Sequence, residues 1–204
     1  MTGAWPASVT LRDGSPILIR PIEPEDRDEL AAGFERLSPE SRYRRFFGPM
    51  KELRPRDLDH LTQVDHRDHE ALIAFDPETG EGIGVGRFVR LDDGVSAEAA
   101  VTVVDDWQGR GLGTALSRLL ADRARDEGIE RFTALLLATN EQMHDVLASL
   151  GPAHVLSRDA GTVEVEVALP ERGIGEHLAG VLRVVAGGTV ELATPPWGLR
   201  AREG

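Results

Sequence analysis

Apolar positions along this chain switch between two periods, and the switches mark out its elements. In SPILIRP, Ile17 and Ile19 alternate with other residues and stop at Pro21, which predicts a first strand and a turn. Pro24 followed by Glu25 and Asp26 suits a helix start, and Leu30, Phe34 and Leu37 continue one helical face. LSPESRYRRFF restarts a helix, with Ser38 as cap and Pro39 in the first turn. RPRDLDHLTQV gives a further short helix through Leu58 and Leu61. Three strands are then expected, EALIAF (70–75), IGVGRFVRL (83–91) and AEAAVTVV (97–104), joined by the turns DPETGEG and DDG. Those turns are too short for crossovers, so the three strands form an antiparallel meander.

The second half alternates helix and strand. GTALSRLLADRARDEG is amphipathic, with Leu112, Leu116, Leu119, Leu120 and Ala124 on one face and Gly128 at its end. FTALLLA (132–138) is apolar throughout, as expected of a strand covered on both faces. NEQMHDVLASLG reads as a capped helix from Asn140 to Gly151, and GTVEVEVAL (161–169) as an alternating strand. The helix between 97–104 and 132–138 allows a parallel crossover there. The expected fold is therefore α/β (α+β): a mixed, mostly antiparallel sheet with helices on both faces, spanning residues 16–170. Residues 1–15 read as an N-terminal extension or edge strand. Residues 171–204 read as an appendage containing a helical stripe (Ile174, Leu178, Val181, Leu182, Val185) and one more strand, TVELAT.

Composition narrows the function. Hydrophobic residues make up 41% and charged residues 28% of 204, the balance of a soluble globular protein. No apolar run approaches the roughly 20 residues that cross a bilayer, and the first residues lack a signal-peptide layout. There is no cysteine, which removes disulfides, thiolate metal ligands and cysteine nucleophiles. A cytoplasmic location is the expectation. The net charge of −12 opposes binding to nucleic acid or an anionic membrane. Lys51 is the only lysine. Either a monomer or a homodimer is compatible with these features.

The chemistry concentrates in VVDDWQGRGLGTAL, where three alternating glycines stand between a strand and a helix. A glycine-rich turn feeding a helix N-terminus leaves backbone N–H groups free, adds the positive end of the helix dipole and lets an anion approach closely. No lysine follows Gly113, so this is not a P-loop. The pattern is Gly-x-Gly-x-Gly after a meander, so it is not a dinucleotide fingerprint either. A plain turn would account for one glycine better than for three.

Gln108-Gly109-Arg110-Gly111-Leu112-Gly113 resembles the Gln/Arg-x-x-Gly-x-Gly/Ala signature of the GNAT acyltransferase superfamily, and the resemblance in element order covers roughly residues 16 to 169. It implies a GNAT-type fold and acetyl-CoA as co-substrate, with no metal. The backbone of Val101, Thr102 and Val103 would pair with pantetheine. The N–H groups of Gly109, Arg110, Gly111, Leu112, Gly113 and Thr114 would hold the pyrophosphate, and Asn140 would steady the pantetheine arm. Read from the residues alone, Asn140 is a helix N-cap. The segment from LRDGSPILIRP to EALIAF further resembles the bacterial Pat-like protein lysine acetyltransferases, which modify lysines on acyl-CoA synthetases. Some of these carry a fused cyclic-nucleotide-binding or synthetase-like domain; neither is expected within these 204 residues, so control by a built-in nucleotide sensor is not an expectation here.

That resemblance implies a protein lysine as acceptor, an acyl-CoA synthetase among the candidates; a small amine is the alternative, and a non-catalytic acyl-CoA-binding module a third. A lysine amine is protonated at neutral pH and must lose a proton before it attacks a thioester. Glu98 in SAEAAVTVV matches the glutamate that the Pat-like group proposes as base. Among alanines and valines it is expected to be desolvated, which would push its pKa toward a useful range; the alternative is a strand-end glutamate facing solvent, since one face of a meander is often wet. The oxyanion donor implied is a backbone N–H near Val103. Many GNAT enzymes place a tyrosine seven residues after the asparagine; here that position is Leu147, and the only tyrosine is Tyr43. DHRDHE, with His66 and His69, reads as a solvated polar loop, with no recognisable metal spacing. RYRRFF reads as a helix with Phe46 and Phe47 buried and its arginines outward, free to receive the cofactor's 3′-phosphate or an acidic partner.

Overall fold

The computed structural model describes residues 5–48 and 50–170. Within them, one eight-stranded sheet runs in the order β1-β2-β3-β4-β5-β6-β8-β7. The strands are β1 (Ala7–Thr10), β2 (Pro16–Pro21), β3 (His69–Phe75), β4 (Gly82–Arg90), β5 (Ser96–Val103), β6 (Arg131–Leu137), β7 (Ala153–Asp159) and β8 (Thr162–Ala168). Helices α1 (Arg27–Glu35), α2 (Pro39–Phe46) and α3 (Pro55–Thr62) lie between β2 and β3; α4 (Leu112–Asp126) follows β5 and α5 (Glu141–Ala148) follows β6. Every strand pairing is antiparallel except β5 with β6. This is the mixed sheet, and the single parallel crossover, that the sequence predicts.

Local chemistry sets several boundaries. The Ser38 Oγ accepts from the Ser41 N–H (3.1 Å) with Pro39 in the first turn, so α2 starts where its cap stands. Asn140 caps α5 in the same way, its Oδ1 accepting from the Met143 N–H (3.3 Å). The helix expected from Pro24 begins as a 3₁₀ turn, Pro24–Asp26, and α1 follows. The Asp26 carboxylate closes that turn back on its N-cap, accepting from the Glu23 N–H at 2.7 Å, and grips Arg20 through both oxygens at 2.7 and 2.6 Å.

The core lies where α4 crosses the sheet. Leu112, Leu116, Leu120 and Ala124 of α4 are buried in one cluster with Leu72, Phe88, Phe132 and Val165 of four strands. Burying each of these larger side chains contributes about 1.5–3 kcal/mol. On the other side, Ala71 and Ile73 of β3 pack with Ile22 in a second cluster that Leu30 of α1 borders.

Four expectations need correction. β6 is not covered on both faces: burial alternates along it and Leu135 is 49% exposed, because β6 leaves β5 after three residues and opens one face. β7 was not expected. It is an edge strand with every residue exposed, so it has no apolar face to betray it. DHRDHE is not a loop throughout: His69 opens β3, and Glu70 is buried, bonded to His66 (2.7 Å) and Arg123 (3.1 Å). The arginines of α2 do not all face out. Arg42 turns back to donate to the carbonyls of Leu37 (3.1 Å), Glu35 (3.1 Å) and Lys51 (3.0 Å), and Arg45 lines a cleft. The stripe at 174–185 and the TVELAT strand lie outside the described residues.

Candidate active site

β5 and β6 are paired over three residues only, Ser96 with Arg131, Ala97 with Phe132 and Glu98 with Thr133. β5 stays on β4 as far as Val103, while β6 continues along β8. The sheet therefore splits in its middle. The Val104 N–H donates to the Ile83 carbonyl of the strand pair (3.1 Å), which fixes the alternation along β5. Thr102 and Val104 turn their backbone groups toward β4, so those of Val101 and Val103 face the gap. The Val103 carbonyl is met there by Gln108 Nε2 at 3.0 Å.

A cleft of about 530 Å3 fills the gap and runs on to the N-terminus of α4. Glu98, Val101, Thr102, Val103, Gln108, Gly109, Gly111, Gly113, Thr114 and Asn140 all line it. Two residues of the motif do not. The Leu112 side chain is in the core, and Arg110 lies over the Trp107 ring (4.7 Å), with Asp13 3.7 Å away. Gly109 and Gly111 have φ of +74° and +97°, the left-handed region that glycine enters without strain. Gly111 is the N-cap of α4, and the helical ladder starts with the Ala115 N–H on the Gly111 carbonyl (3.0 Å). The amides of Leu112, Gly113 and Thr114 precede the ladder and are left for a ligand. Bare backbone, a helix N-terminus and an opened sheet edge thus meet in one groove, which fits a long coenzyme with a diphosphate.

The loop is tied to α2 by residues whose joint role the sequence did not signal. The Asp105 carboxylate accepts from the Ser38 N–H (2.9 Å), the Ser38 hydroxyl (2.6 Å) and the Ser41 hydroxyl (3.0 Å). Gln108 Nε2, besides its bond to Val103, donates to Ser41 Oγ at 3.1 Å. Burial pulls the Asp105 carboxyl up, and the serine hydrogen bonds more than offset it, leaving it below its ordinary value. Arg12 was also missed. Its backbone N–H donates to the Arg110 carbonyl (3.2 Å), and its side chain lines the cleft 3.4 Å from where a Gly111 Cβ would stand. The Asp13-Gly14 turn signal before β2 could have placed it there.

Glu98 departs from expectation. It lines the cleft at the β5–β6 fork, yet its side chain is exposed, not enclosed among alanines and valines. Across the sheet it stands in register with Val89 of β4 and His69 of β3. Leu147, at the position of the family's tyrosine, is buried on the cleft wall, whereas Tyr43 is half exposed. A second, smaller cavity of about 70 Å3 lies between the sheet and α1–α3, and Arg45, Phe46, Ala100 and Thr102 line both spaces.

Comparison with known proteins agrees with this geometry. The model of the acetyltransferase (GNAT) family matches residues 33–151. An acetyltransferase of Pseudomonas aeruginosa is 38% identical over 144 residues, covering 70% of this chain and 77% of the relative. The acetyltransferase Pat of Mycolicibacterium smegmatis is 36% identical over 81% of this chain, which spans 49% of that longer protein. The crystal structure of the GNAT domain of S. lividans PAT superposes with a TM-score of 0.75 at 36% identity, covering 81% of this chain and 97% of that domain.

Proposed function

Because the chain belongs to the GNAT acetyltransferase family, we propose that it transfers an acetyl group from acetyl-CoA to an amine by direct attack in a ternary complex, with a lysine on a protein as the acceptor. The observation that carries this reading is the opened β5–β6 edge running into the glycine-capped N-terminus of α4, with Glu98 at the fork. Acetyl-CoA supplies a thioester-activated acetyl group. In this reading the backbone of Val101 to Val103 aligns the pantetheine arm, as it would align a neighbouring strand. The amides from Gly109 to Thr114, with Arg12 beside Gly111, hold the diphosphate. Asn140 serves both α5 and the arm.

Glu98 accepts the proton that the acceptor ammonium must lose before it attacks. A backbone N–H near Val103 faces the position where negative charge develops on the acetyl oxygen. No tyrosine stands at the position of Leu147 to protonate the leaving sulfur. A thiolate needs that help less than an alkoxide, since a thiol loses its proton far more readily than an alcohol.

The Pat relatives favour a protein acceptor, an acyl-CoA synthetase among the candidates. The compact cavity beside Arg45 favours the second reading, a small amine. Calorimetry with acetyl-CoA, followed by thiol release on lysine-bearing proteins and small amines, tests both. Glu98→Gln is expected to bind acetyl-CoA as the wild type does and to lose roughly 100-fold or more in turnover at neutral pH. Unchanged turnover removes Glu98 as the base, and absent acetyl-CoA binding removes the whole reading.

A further inference from the structure

The small cavity on the acceptor side carries charges that proton removal by Glu98 does not call for. Arg87 of β4 sits at an inward position between Gly86 and Phe88 and is only 8% exposed. Its guanidinium donates to the Leu61 carbonyl (3.1 Å), and its other terminal nitrogen lies 3.3 Å from His69 Nε2. His69 is itself half-buried, with the His60 ring centroid 5.2 Å away. Burial, then Arg87 and His60, push it down to about 4, so at neutral pH it is uncharged and accepts from Arg87. Arg45 of α2 enters the same cavity with its guanidinium 5.1 Å over the Phe46 ring. Glu29 also lines the cavity, and His60, His69 and Glu98 stand close to its arginines.

Among the described residues neither Arg45 nor Arg87 forms an ion pair, whereas Arg20, Arg90 and Arg123 each do. Both side chains line the same small cavity. Burial first, and then Arg45, bring Arg87 down to about 9, which still leaves it charged at neutral pH. Burial lowers Arg45 too, and Glu98 opposes that in part. Two like charges held among Phe34, Leu53, Leu61 and Ile73 are unfavourable unless an anion joins them. The cavity of about 70 Å3 has room for a carboxylate on a short chain, not for a nucleotide.

We propose that this cavity is an oxyanion subsite for the acceptor: the acceptor is zwitterionic, presenting its amine to Glu98 and a carboxylate to Arg45 and Arg87. The charges of the site run in the matching order, carboxylate at the fork and guanidiniums behind it. The carboxylate has two possible sources, the free acid group of a small amino acid or an acidic side chain flanking a target lysine. The assignment of the amine rests on the transferase reading.

The test pairs acceptors that differ only in charge. Thiol release is measured with 6-aminohexanoate against 6-aminohexanamide, and with peptides in which one lysine is flanked by Glu or by Gln. The expected result is a kcat/KM at least about tenfold higher for the carboxylate member of one pair. Arg45→Gln and Arg87→Gln should bring that ratio close to one, and Arg87→Gln, whose side chain lines the small cavity and not the coenzyme cleft, should leave acetyl-CoA affinity intact. Preference in the free pair alone assigns the subsite to a small acceptor; preference in the peptides alone assigns it to a residue beside the target lysine. Equal use of both members in both pairs, or a preference that survives Arg45→Gln, overturns the proposal and leaves the transferase reading standing. If Arg87→Gln does not fold, Arg45→Gln decides the matter. If acetyl-CoA does not bind, the transferase reading fails and glutarate is the probe. A rise in melting temperature with glutarate that Arg45→Gln abolishes retains the anion site, and no rise overturns it.

Discussion

The two sides of β5 are built from different materials. Toward the fork and α4, the groups offered to a ligand are main-chain amides and carbonyls: Val101 and Val103 at the open edge, and Leu112 to Thr114 ahead of the first helical bond. Toward α1–α3, the groups are side chains from four separate elements: Arg45, His69, Arg87 and Glu98. The first side is made by removing side chains and bending the backbone, which requires glycine at particular positions. The second is made by bringing together residues that lie as much as 53 positions apart in the chain. Only the first leaves a contiguous pattern in the sequence. It also leaves a site indifferent to most side-chain changes, whereas the second can be retuned by a single substitution.

The largest expected effect breaks the backbone side alone. Gly111→Glu places a charged chain where a Cβ would already lie 3.4 Å from Arg12, at a φ of +97°. Acetyl-CoA affinity should fall about 100-fold or more, equivalent to roughly 2.7 kcal/mol, by isothermal calorimetry. Retained affinity would mean that the loop is only a turn. Next comes the link between the sides. Asp105→Ala removes the acceptor of three serine hydrogen bonds. It should lower stability by roughly 2 kcal/mol in urea melts, and it should weaken both coenzyme and acceptor, since α2 carries Arg45. An effect on one ligand alone would show the sides to be independent.

A third expected outcome belongs to the side-chain half and needs no ligand. His69 is held at about 4 in the folded protein, below its ordinary 6.5. The unfolded chain therefore binds the extra proton first, so stability falls as the pH drops below 6.5, and the loss levels off below about 4. His69→Gln should flatten that stretch of the stability–pH curve; an equal slope in the variant would place the cause elsewhere. The smallest effect separates packing from binding on the backbone side. A Cβ at Gly113 would meet nothing nearer than Val146 at 3.9 Å, so Gly113→Ala fits and should stabilise α4 by about 0.5–1 kcal/mol. Coenzyme affinity should nevertheless fall a few-fold, because the methyl group enters the cleft. A higher melting temperature with unaltered affinity would make Gly113 a helix residue only.

Legibility followed the same divide. Ser38-Pro39, the meander turns and the glycine loop are local devices, and each appears where the sequence puts it. Where tertiary context decides, the pattern misleads. FTALLLA reads as doubly covered because its composition cannot report that β5 leaves it after Glu98. Glu98 reads as desolvated for the same reason: its apolar neighbours in sequence are not the walls around its carboxylate. Arg45 reads as outward because the helical pattern of RYRRFF does not reveal the cavity between α2 and the sheet. The one available warning on that side was Arg87, a charged residue at an inward position of IGVGRFV. β7 carried no warning either: its Val155 and Leu156 are adjacent, not alternating, and both are exposed.

The short β5–β6 pairing has a mechanical consequence. Strands β1–β5 and β6–β8 are laced together through just three residue pairs of ladder, so the sheet resembles two panels sharing a narrow seam. A coenzyme lying along the rest of that seam would stitch the panels shut. Its influence should then reach β8, on the far panel, as slower amide exchange at Val163, Val165 and Val167, which the groove itself does not touch.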